Sequence, residues 1–282
     1  MKNILLSNNN HLYFDEYSKK QDIIFIHGYI SDGRVWVKIK DIWDGNERLI
    51  FPTLEGFYNE EEKNNKDYFN SKNHLKSLIE LIEKYCDGSV NLVGWSYGAS
   101  LALMLAAKRP DLVNSLFLYE PGINSFIENE EMIEKIQLDR TRMAGRAIQH
   151  LHKNNLELAV RCIVDDACSK QNIFDNLSAD VKKLFLDNSF TVPFMFGENK
   201  VPNLELNTDE VKNINCLVTI CYGEYARPAY KIVSEELTNL LVNHNLRIIP
   251  DAYHIAPIYS PDKFKLSIKE HLDKVRSLCY AR

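Results

Sequence analysis

A serine between two glycines is a candidate reactive group in this sequence. The five residues are Gly94-Trp95-Ser96-Tyr97-Gly98, which match the pattern G-x-S-x-G. A β-prone run, residues 90–93, precedes them, and a strong helix-forming run, residues 99–106, follows. Between a strand and a helix, this pattern predicts a nucleophile elbow, the sharp turn that holds a serine clear of a sheet. The turn strains the serine backbone, and side chains at the two glycines would collide across it. We therefore predict that Ser96 is a nucleophile.

A serine nucleophile needs a base that takes its proton, and His254 is the candidate base. It lies in a loop-like segment, residues 250–257, between a predicted last strand and a terminal helical run. Of the eight histidines, His254 alone has that position. The chain order, with the serine first and the histidine late, therefore predicts a Ser96–His254 pair.

Two backbone N–H groups are the predicted donors for the oxyanion that forms when a serine attacks a carbonyl carbon. One is the N–H of Tyr97, the residue after the nucleophile, and the other is expected from the loop after the first central strand. That loop begins at His27, and Gly28 allows the sharp turn that aims the N–H of Tyr29 at the site. His27 is expected to brace this loop rather than to transfer protons.

Strand-like and helix-like segments alternate along the chain, which predicts an α/β fold with a mostly parallel central sheet and helices on both faces. Residues 22–28 form a continuous apolar run that is typical of a buried central strand. The predicted strands are 22–28, 48–51 (closed by Pro52), 90–93, 115–120, 216–222 and 246–249, and the predicted core helices are 75–85, 97–108 and 262–278.

The alternation stops between Gly122 and about Thr208, where the sequence is charged and without a convincing strand. A helical insertion between two strands is best interpreted as a cap over the carboxyl ends of the strands, where the active sites of open α/β sheets lie. The predicted organisation is a core of residues 1–121 and 209–282 and a cap of residues 122–208. A separate helical domain with another role is the alternative. The predicted helical stretches are 128–135, 140–152, 156–166 and 179–188.

The strand that leads into His27-Gly28, the elbow around Ser96 and the late His254 resemble the α/β-hydrolase superfamily along essentially the whole chain. The resemblance implies the α/β-hydrolase fold, with a helical cap inserted after the strand ending at Glu120. It also implies that the cap sets the choice of substrate. Three further segments, 118–121, 186–193 and 223–228, are similar to a broad group of bacterial members without a uniform substrate.

The acid that orients the histidine departs from the superfamily pattern. Members commonly place an Asp three residues beyond a Gly after the penultimate strand, but here Gly223 is followed by Ala226 at that position. Glu120 is the favoured substitute, because some relatives, including haloalkane dehalogenases, resemble this arrangement with an acid at that strand end. Glu224 is the alternative acid, and Asp251 is expected to be a turn residue. A structural carboxylate that binds loop amides is the other interpretation of Glu120.

The composition is that of an ordinary soluble globular protein, with 45% hydrophobic and 26% charged residues. A net charge of −5 and the lack of a basic cluster argue against nucleic acid as a partner. No apolar run is long enough for a membrane span or a signal peptide, and the six scattered cysteines lack metal-ligand spacing. We therefore expect a cytoplasmic protein without membrane contact, metal or cofactor, whose oligomeric state is left open.

Together these residues predict a serine hydrolase that cleaves a small or medium ester, thioester or lactone, a small-molecule acyl substrate, through an acyl-enzyme on Ser96. Candidates for the substrate pocket are Gly28, Trp36 and Trp95, which lie beside predicted catalytic loops. Acyl transfer, cyclisation or C–C cleavage on the same fold is the alternative. A non-catalytic ligand-binding relative is a third hypothesis, favoured by Ala226. Dehalogenation is disfavoured, because it needs a carboxylate where Ser96 stands.

Overall fold

The computed structural model describes residues 2–17, 22–58, 69–196 and 205–280, and within them eight strands form one sheet. The strands are β1 (Lys2–Leu5), β2 (His11–Tyr17), β3 (Asp22–Ile26), β4 (Arg48–Thr53), β5 (Val90–Trp95), β6 (Val113–Tyr119), β7 (Leu217–Gly223) and β8 (His244–Ile249). Their order across the sheet is β1-β2-β4-β3-β5-β6-β7-β8. The pairs from β4 to β8 are parallel, and β1 and β2 are antiparallel additions at one edge. The predicted α/β class with a mostly parallel sheet is confirmed.

Helices pack on both faces of the sheet and create two hydrophobic cores. One core joins the sheet to helices on one face through residues such as Leu78 and Leu101, and the other joins it to helices on the opposite face through residues such as Ile39 and Phe264. All of β3 is buried, because it lies in the middle of the sheet. The helices are α1 (Val37–Ile42), α2 (Ser71–Tyr85), α3 (Tyr97–Lys108), α4 (Glu130–Leu151), α5 (Leu156–Ala167), α6 (Ala179–Asp187), α7 (Val192–Phe196), α8 (Thr208–Lys212), α9 (Pro228–Leu240), α10 (Ala256–Tyr259) and α11 (Pro261–Tyr280).

The antiparallel pair β1–β2 is absent from the predicted strands. In β2, Leu12 and Phe14 are buried, whereas Tyr13 between them is exposed. This alternation is that of an antiparallel strand with one face on a core. The alternating stretch is short and follows a polar turn. Hydrophobic periodicity alone therefore does not distinguish this strand from a loop.

The prediction that Pro52 closes its strand is wrong, because β4 continues to Thr53. Pairing between β4 and β3 ends at Ile50, so the position of Pro52 has no β3 residue opposite it. A residue without an N–H group is tolerated on that side of the strand.

The segment between β6 and β7 contains α4 to α8 and no strand within its described residues, 122–196 and 205–216. The predicted stretches 128–135 and 140–152 are one continuous helix, α4. The guanidinium of Arg227, just before α9, binds the carboxylate of Asp139 in α4 at 2.7 Å and ties the segment to the rest of the molecule. Residues 197–204 of the predicted cap lie outside the described residues. None of the helices in the described ranges has both the length and the apolar character required to cross a membrane.

Candidate active site

Ser96 lies at the turn between β5 and α3, with φ of 56° and ψ of −113°. This left-handed conformation is costly for a residue with a side chain, by about 1–3 kcal/mol, and the surrounding backbone must impose it. A Cβ at Gly94 would lie 2.4 Å from Ala99 Cα, and a Cβ at Gly98 would lie 2.1 Å from the carbonyl oxygen of Ile26. Both glycines are therefore required by close backbone contacts, as the elbow interpretation predicts.

His254 lies in the loop between β8 and α10, and two core aromatic residues hold the backbone of that loop. The indole N–H of Trp95 donates to the carbonyl of His254 at 2.8 Å, and the hydroxyl of Tyr119 donates to the carbonyl of Tyr253 at 2.7 Å. Trp95 directly precedes Ser96, so the strand that presents the serine also positions the histidine loop.

Glu120 follows β6 with φ of 49° and has a fully buried side chain. Its Oε2 lies 2.6 Å from Nδ1 of His254, and its Oε1 accepts the N–H of Gly223 at 2.9 Å. Because a carboxylate only accepts hydrogen bonds, Nδ1 of His254 carries the proton. Nε2 of His254 is thereby left as the acceptor nitrogen, the form required of a general base.

The two other carboxylates near the site are turned away from His254. Glu224 is exposed, and its Oε2 accepts the N–H of Asp251 at 2.9 Å. Asp251 has φ of 55° and pairs with Lys263 at 3.0 Å, as a turn residue does. Ala226, at the usual position of the acid, presents only a methyl group. The structure therefore brings Glu120, and neither Glu224 nor Asp251, to the imidazole.

Ser100 of α3 joins the loop after Glu120 to the elbow. Its hydroxyl oxygen accepts the N–H groups of Gly122 and Ile123, both at 3.0 Å, and its hydroxyl donates to the carbonyl of Ser96 at 3.3 Å. A single side chain thus fixes the spacing between the predicted nucleophile and the loop that carries Glu120.

The two predicted oxyanion donors belong to residues whose side chains are in contact. The rings of Tyr29 and Tyr97 stack with centroids 4.1 Å apart. The Tyr97 hydroxyl donates to Nδ1 of His74 at 2.7 Å, and Nε2 of His74 donates to the Glu55 carbonyl at 2.8 Å. Burial lowers the pKa of His74 to about 3, so this histidine is neutral. Tyr97 is also the first residue of α3, where backbone N–H groups have no acceptor within the helix.

His27 has the bracing position that its sequence context predicts. Its Nδ1 donates to the carbonyl of Gly28 at 2.8 Å, and its Nε2 accepts the N–H of Leu54 at 3.1 Å. Burial lowers the pKa of His27 to about 4, so the ring remains neutral and uses both nitrogens to hold two loops together. Gly28 itself lies close to the serine, since a Cβ added to it would be 3.4 Å from Ser96 Cβ.

A cavity of about 40 Å³ contains the predicted nucleophile and base. Gly28 and Trp95 line it, as predicted, but Trp36 does not. Trp36 is fully buried and packs against Phe25 and Phe264, so its assignment to the pocket is corrected to a core position. The described lining is Gly28, Tyr29, Ile30, Trp95, Ser96, Met143, Ile163, Val164, Ala167, Phe185, Met195, Tyr230, His254 and Ile255.

Tyr230 of α9 is a cavity residue that the sequence patterns do not indicate. Its ring is parallel to that of His254 within 5°, with centroids 4.4 Å apart. The only signal in the sequence is its position, shortly after the loop that follows the penultimate strand. No sequence pattern indicates Ser100 or His74 either, because the loop that Ser100 binds and the tyrosine that His74 binds are distant from them in sequence.

A second and larger cleft, of about 340 Å³, is separate from these groups. Its lining includes Arg34, Lys38, Leu184 and Ile258, and its described lining contains no serine, histidine or cysteine. Size alone therefore does not make it a catalytic site. Within the described part of the chain, no group of three or more His, Cys, Asp or Glu side chains is arranged to hold a metal ion.

Comparison with known proteins identifies the family. A family model described as the alpha/beta hydrolase fold matches residues 23–203, more than half of the chain. The chain therefore belongs to the alpha/beta hydrolase fold family.

Individual relatives are distant. The chain is 22% identical over 264 residues to a putative 2-succinyl-6-hydroxy-2,4-cyclohexadiene-1-carboxylate synthase of Bacillus subtilis (strain 168), with 90% of each chain covered. It is 30% identical over 113 residues to the probable lysophospholipase BODYGUARD 2 of Arabidopsis thaliana, a match that spans 38% of this chain and only 24% of the plant protein. A solved thermophilic esterase from Thermogutta terrifontis has a TM-score of 0.66 and 19% identity, covering 97% of this chain and 98% of that one. At that identity the structural likeness concerns the fold.

Proposed function

We propose that this protein is a serine hydrolase that cleaves a small or medium ester, thioester or lactone through an acyl-enzyme on Ser96. The observation that carries the proposal is the 2.6 Å contact between Glu120 and Nδ1 of His254, whose ring lines the same cavity as Ser96. A buried carboxylate on one imidazole nitrogen leaves the other nitrogen to act as base, which is the logic of a Ser-His-acid triad.

In the proposed reaction, the Ser96 hydroxyl attacks the substrate carbonyl carbon while Nε2 of His254 takes its proton. Glu120 stabilises the imidazolium and holds its orientation. The N–H groups of Tyr29 and Tyr97 donate to the oxyanion of the tetrahedral intermediate. Nε2 of His254 then returns the proton to the departing group, and a water molecule hydrolyses the acyl-enzyme by the same route.

We also propose that the segment between β6 and β7 acts as the cap of this site. The cavity lining supports this role, because it draws on four helices of that segment: Met143 of α4, Ile163 and Val164 of α5, Phe185 of α6 and Met195 of α7. Met143 and Met195 have flexible, unbranched side chains that can repack around a bound substrate.

Labelling with a fluorophosphonate probe tests the proposal, because the probe reacts covalently with an activated serine. We expect the wild type and Glu224→Gln to be labelled at similar rates, Ser96→Ala not to be labelled, and Glu120→Gln to be labelled far more slowly. An unlabelled wild type would remove the serine-hydrolase proposal. Loss of labelling in Glu224→Gln but not in Glu120→Gln would make Glu224 the acid.

A second candidate is a non-hydrolytic reaction of the same serine site, such as acyl transfer, cyclisation or C–C cleavage in a biosynthetic pathway. The match with the Bacillus subtilis synthase over 90% of both chains favours it. Hydrolysis of oxygen esters, thioesters and lactones separates the two candidates. A wild type that is labelled at Ser96, but hydrolyses none of these faster than Ser96→Ala, would favour the second.

A further inference from the structure

The hydroxyl of Tyr230 lies in the cavity without a hydrogen bond of normal length to any described residue. It is 3.5 Å from Nε2 of His254 and 3.9 Å from Sδ of Met143. Normal hydrogen bonds from a hydroxyl are about 2.7–2.8 Å long, and a thioether sulfur is a weak acceptor. The phenol is therefore a donor with no strong acceptor in this part of the protein.

The contact between Tyr230 and His254 is a stacking contact. Because the two rings are parallel within 5°, the phenol oxygen lies above the imidazole plane, whereas the lone pair of Nε2 lies in that plane. The lone pair thus stays available to Ser96. Burial and the charge of Glu120 raise the pKa of Tyr230, so its hydroxyl stays protonated and can donate.

No other side chain of the described cavity lining offers a spare hydrogen-bond donor, apart from Ser96 and His254. The indole N–H of Trp95 is bound to the His254 carbonyl, and the hydroxyl of Tyr29 is bound to Tyr97. The remaining lining is apolar: Ile30, Met143, Ile163, Val164, Ala167, Phe185, Met195 and Ile255. One phenol in such a wall is a specific recognition group, because an unpaired donor in an apolar cavity disfavours substrates that leave it unpaired.

The position of the hydroxyl beside Nε2 indicates which part of the substrate it meets. Nε2 of His254 returns its proton to the departing group, so a group above Nε2 lies on the departing side of the scissile bond. The Nε2–H group itself donates its proton to the departing oxygen. The phenol is therefore available to a second acceptor in the departing alcohol.

Resting on the proposed hydrolase function, we propose that Tyr230 is a specificity-determining residue, whose hydroxyl donates to an ether-type or hydroxyl-type oxygen in the alcohol part of an ester. The substrate class is then an ester whose alcohol part carries a second oxygen, of the ether or hydroxyl type. The rest of the substrate is apolar, which suits the apolar lining on the cap side of the cavity. Tyr230 keeps its proton throughout, and the departing alcohol oxygen takes its proton from Nε2 of His254 as its bond to the acyl carbon breaks.

Butyl acetate and 2-methoxyethyl acetate test this inference, because they have the same number of non-hydrogen atoms and differ by one CH₂ replaced by oxygen. We expect Tyr230→Phe, which keeps the stacked ring, to lower kcat/KM for 2-methoxyethyl acetate about 5- to 10-fold and not to lower it for butyl acetate, which leaves the phenol unpaired. The control Tyr225→Phe removes an exposed phenol outside the cavity and should change neither value. A loss of folded enzyme affects both substrates equally, so the ratio between them is unaffected by it. An unchanged ratio in Tyr230→Phe overturns the inference.

Binding without turnover separates this inference from the proposed function. In a Ser96→Ala background, ligand-observed NMR gives the Kd of each ester with and without Tyr230→Phe. We expect Tyr230→Phe to weaken binding of 2-methoxyethyl acetate about 5-fold and to leave butyl acetate unchanged. A wild type that hydrolyses neither ester, with this Kd difference present, contradicts hydrolysis of these esters and supports the recognition role. A Kd ratio independent of Tyr230 overturns the recognition role, whatever the turnover.

Discussion

The loops that follow β6 and β7 each carry a glutamate, and the surroundings of the two side chains are opposite. Glu120 after β6 is fully buried, with one oxygen on His254 and the other on the N–H of Gly223. Glu224 after β7 is exposed, and its contact is the N–H of Asp251 on the surface. The residue type is the same and the two strands are neighbours in the sheet. The two glutamates therefore differ in the burial of the side chain and in the direction in which it points.

This contrast shows how the acid position can move between strands. The ends of β6 and β7 both contact the histidine loop, through the Tyr119 hydroxyl on the carbonyl of Tyr253 and the Tyr225 N–H on the carbonyl of Ala252. Gly223, at the end of β7, supplies its N–H to Glu120, so β7 contacts the carboxylate that binds His254. In the proposed triad, the strand next to β7 thus supplies the carboxylate that Ala226 lacks.

Of the substitutions that test this contrast between the two glutamates, Glu120→Gln has the largest expected effect on kcat. The amide keeps the shape of the side chain, but it cannot satisfy both the N–H of Gly223 and the N–H of His254 as a carboxylate does. We expect kcat for a hydrolysed ester to fall about 10³- to 10⁴-fold, as when a triad acid is replaced by its amide. Steady-state kinetics with matched circular dichroism spectra checks this. Retention of more than a tenth of the wild-type kcat would contradict the assignment of Glu120.

A rescue variant sharpens the same comparison. Ala226→Asp in the Glu120→Gln background returns a carboxylate to the usual position after β7. We expect the kcat of this double variant to be about 10-fold or more above that of Glu120→Gln. A charge near Nδ1 restores the required tautomer and stabilises the imidazolium. The control is Ala226→Asn in the same background, which adds a similar volume without a charge. Equal activity of the two double variants would show that the β7 loop no longer directs a side chain at His254.

Ser100→Ala tests the anchor of the β6 loop. The change removes the acceptor for the N–H groups of Gly122 and Ile123 and loosens the loop that carries Glu120. We expect kcat to fall about 3- to 10-fold, which corresponds to the net value of about one hydrogen bond. Ser100→Thr keeps the hydroxyl and should restore most of the activity. A Ser100→Ala enzyme with unchanged kcat and a lowered unfolding temperature would assign the contact to stability alone.

The smallest effect is expected for Glu224→Gln. Its side chain is exposed and binds a surface N–H, which an amide oxygen can also accept. We expect kcat/KM within about 2-fold of the wild type and a free energy of unfolding within about 0.5 kcal/mol, as for ordinary surface substitutions. A fall comparable to that of Glu120→Gln would reverse the roles of the two loops.

The positions of Ser96, Glu120 and His254 can be predicted from the sequence, because each lies at or shortly after the end of a predicted strand. Parallel strand ends meet at one edge of the sheet, so Ser96, His254 and Glu120 are expected together without any side-chain detail. Tyr230 cannot be predicted in this way, since stacking on His254 depends on how α9 is placed against a distant loop. Trp36 illustrates the opposite error: proximity in sequence to a catalytic loop suggested a pocket residue, but its indole is part of the core.

The hydrogen bond between the indole of Trp95 and the carbonyl of His254 gives this protein an internal optical probe. Trp95 is 2% exposed, and its ring centroid lies 5.9 Å from that of His254. Protonated imidazole quenches indole emission at short range, so the intensity of Trp95 reports the charge and position of the histidine. Replacing Trp36 and Trp43 by Phe removes the two other tryptophans of the sequence and leaves Trp95 as the single indole emitter. The protonation of the base can then be followed by fluorescence in the unlabelled enzyme, with no substrate present.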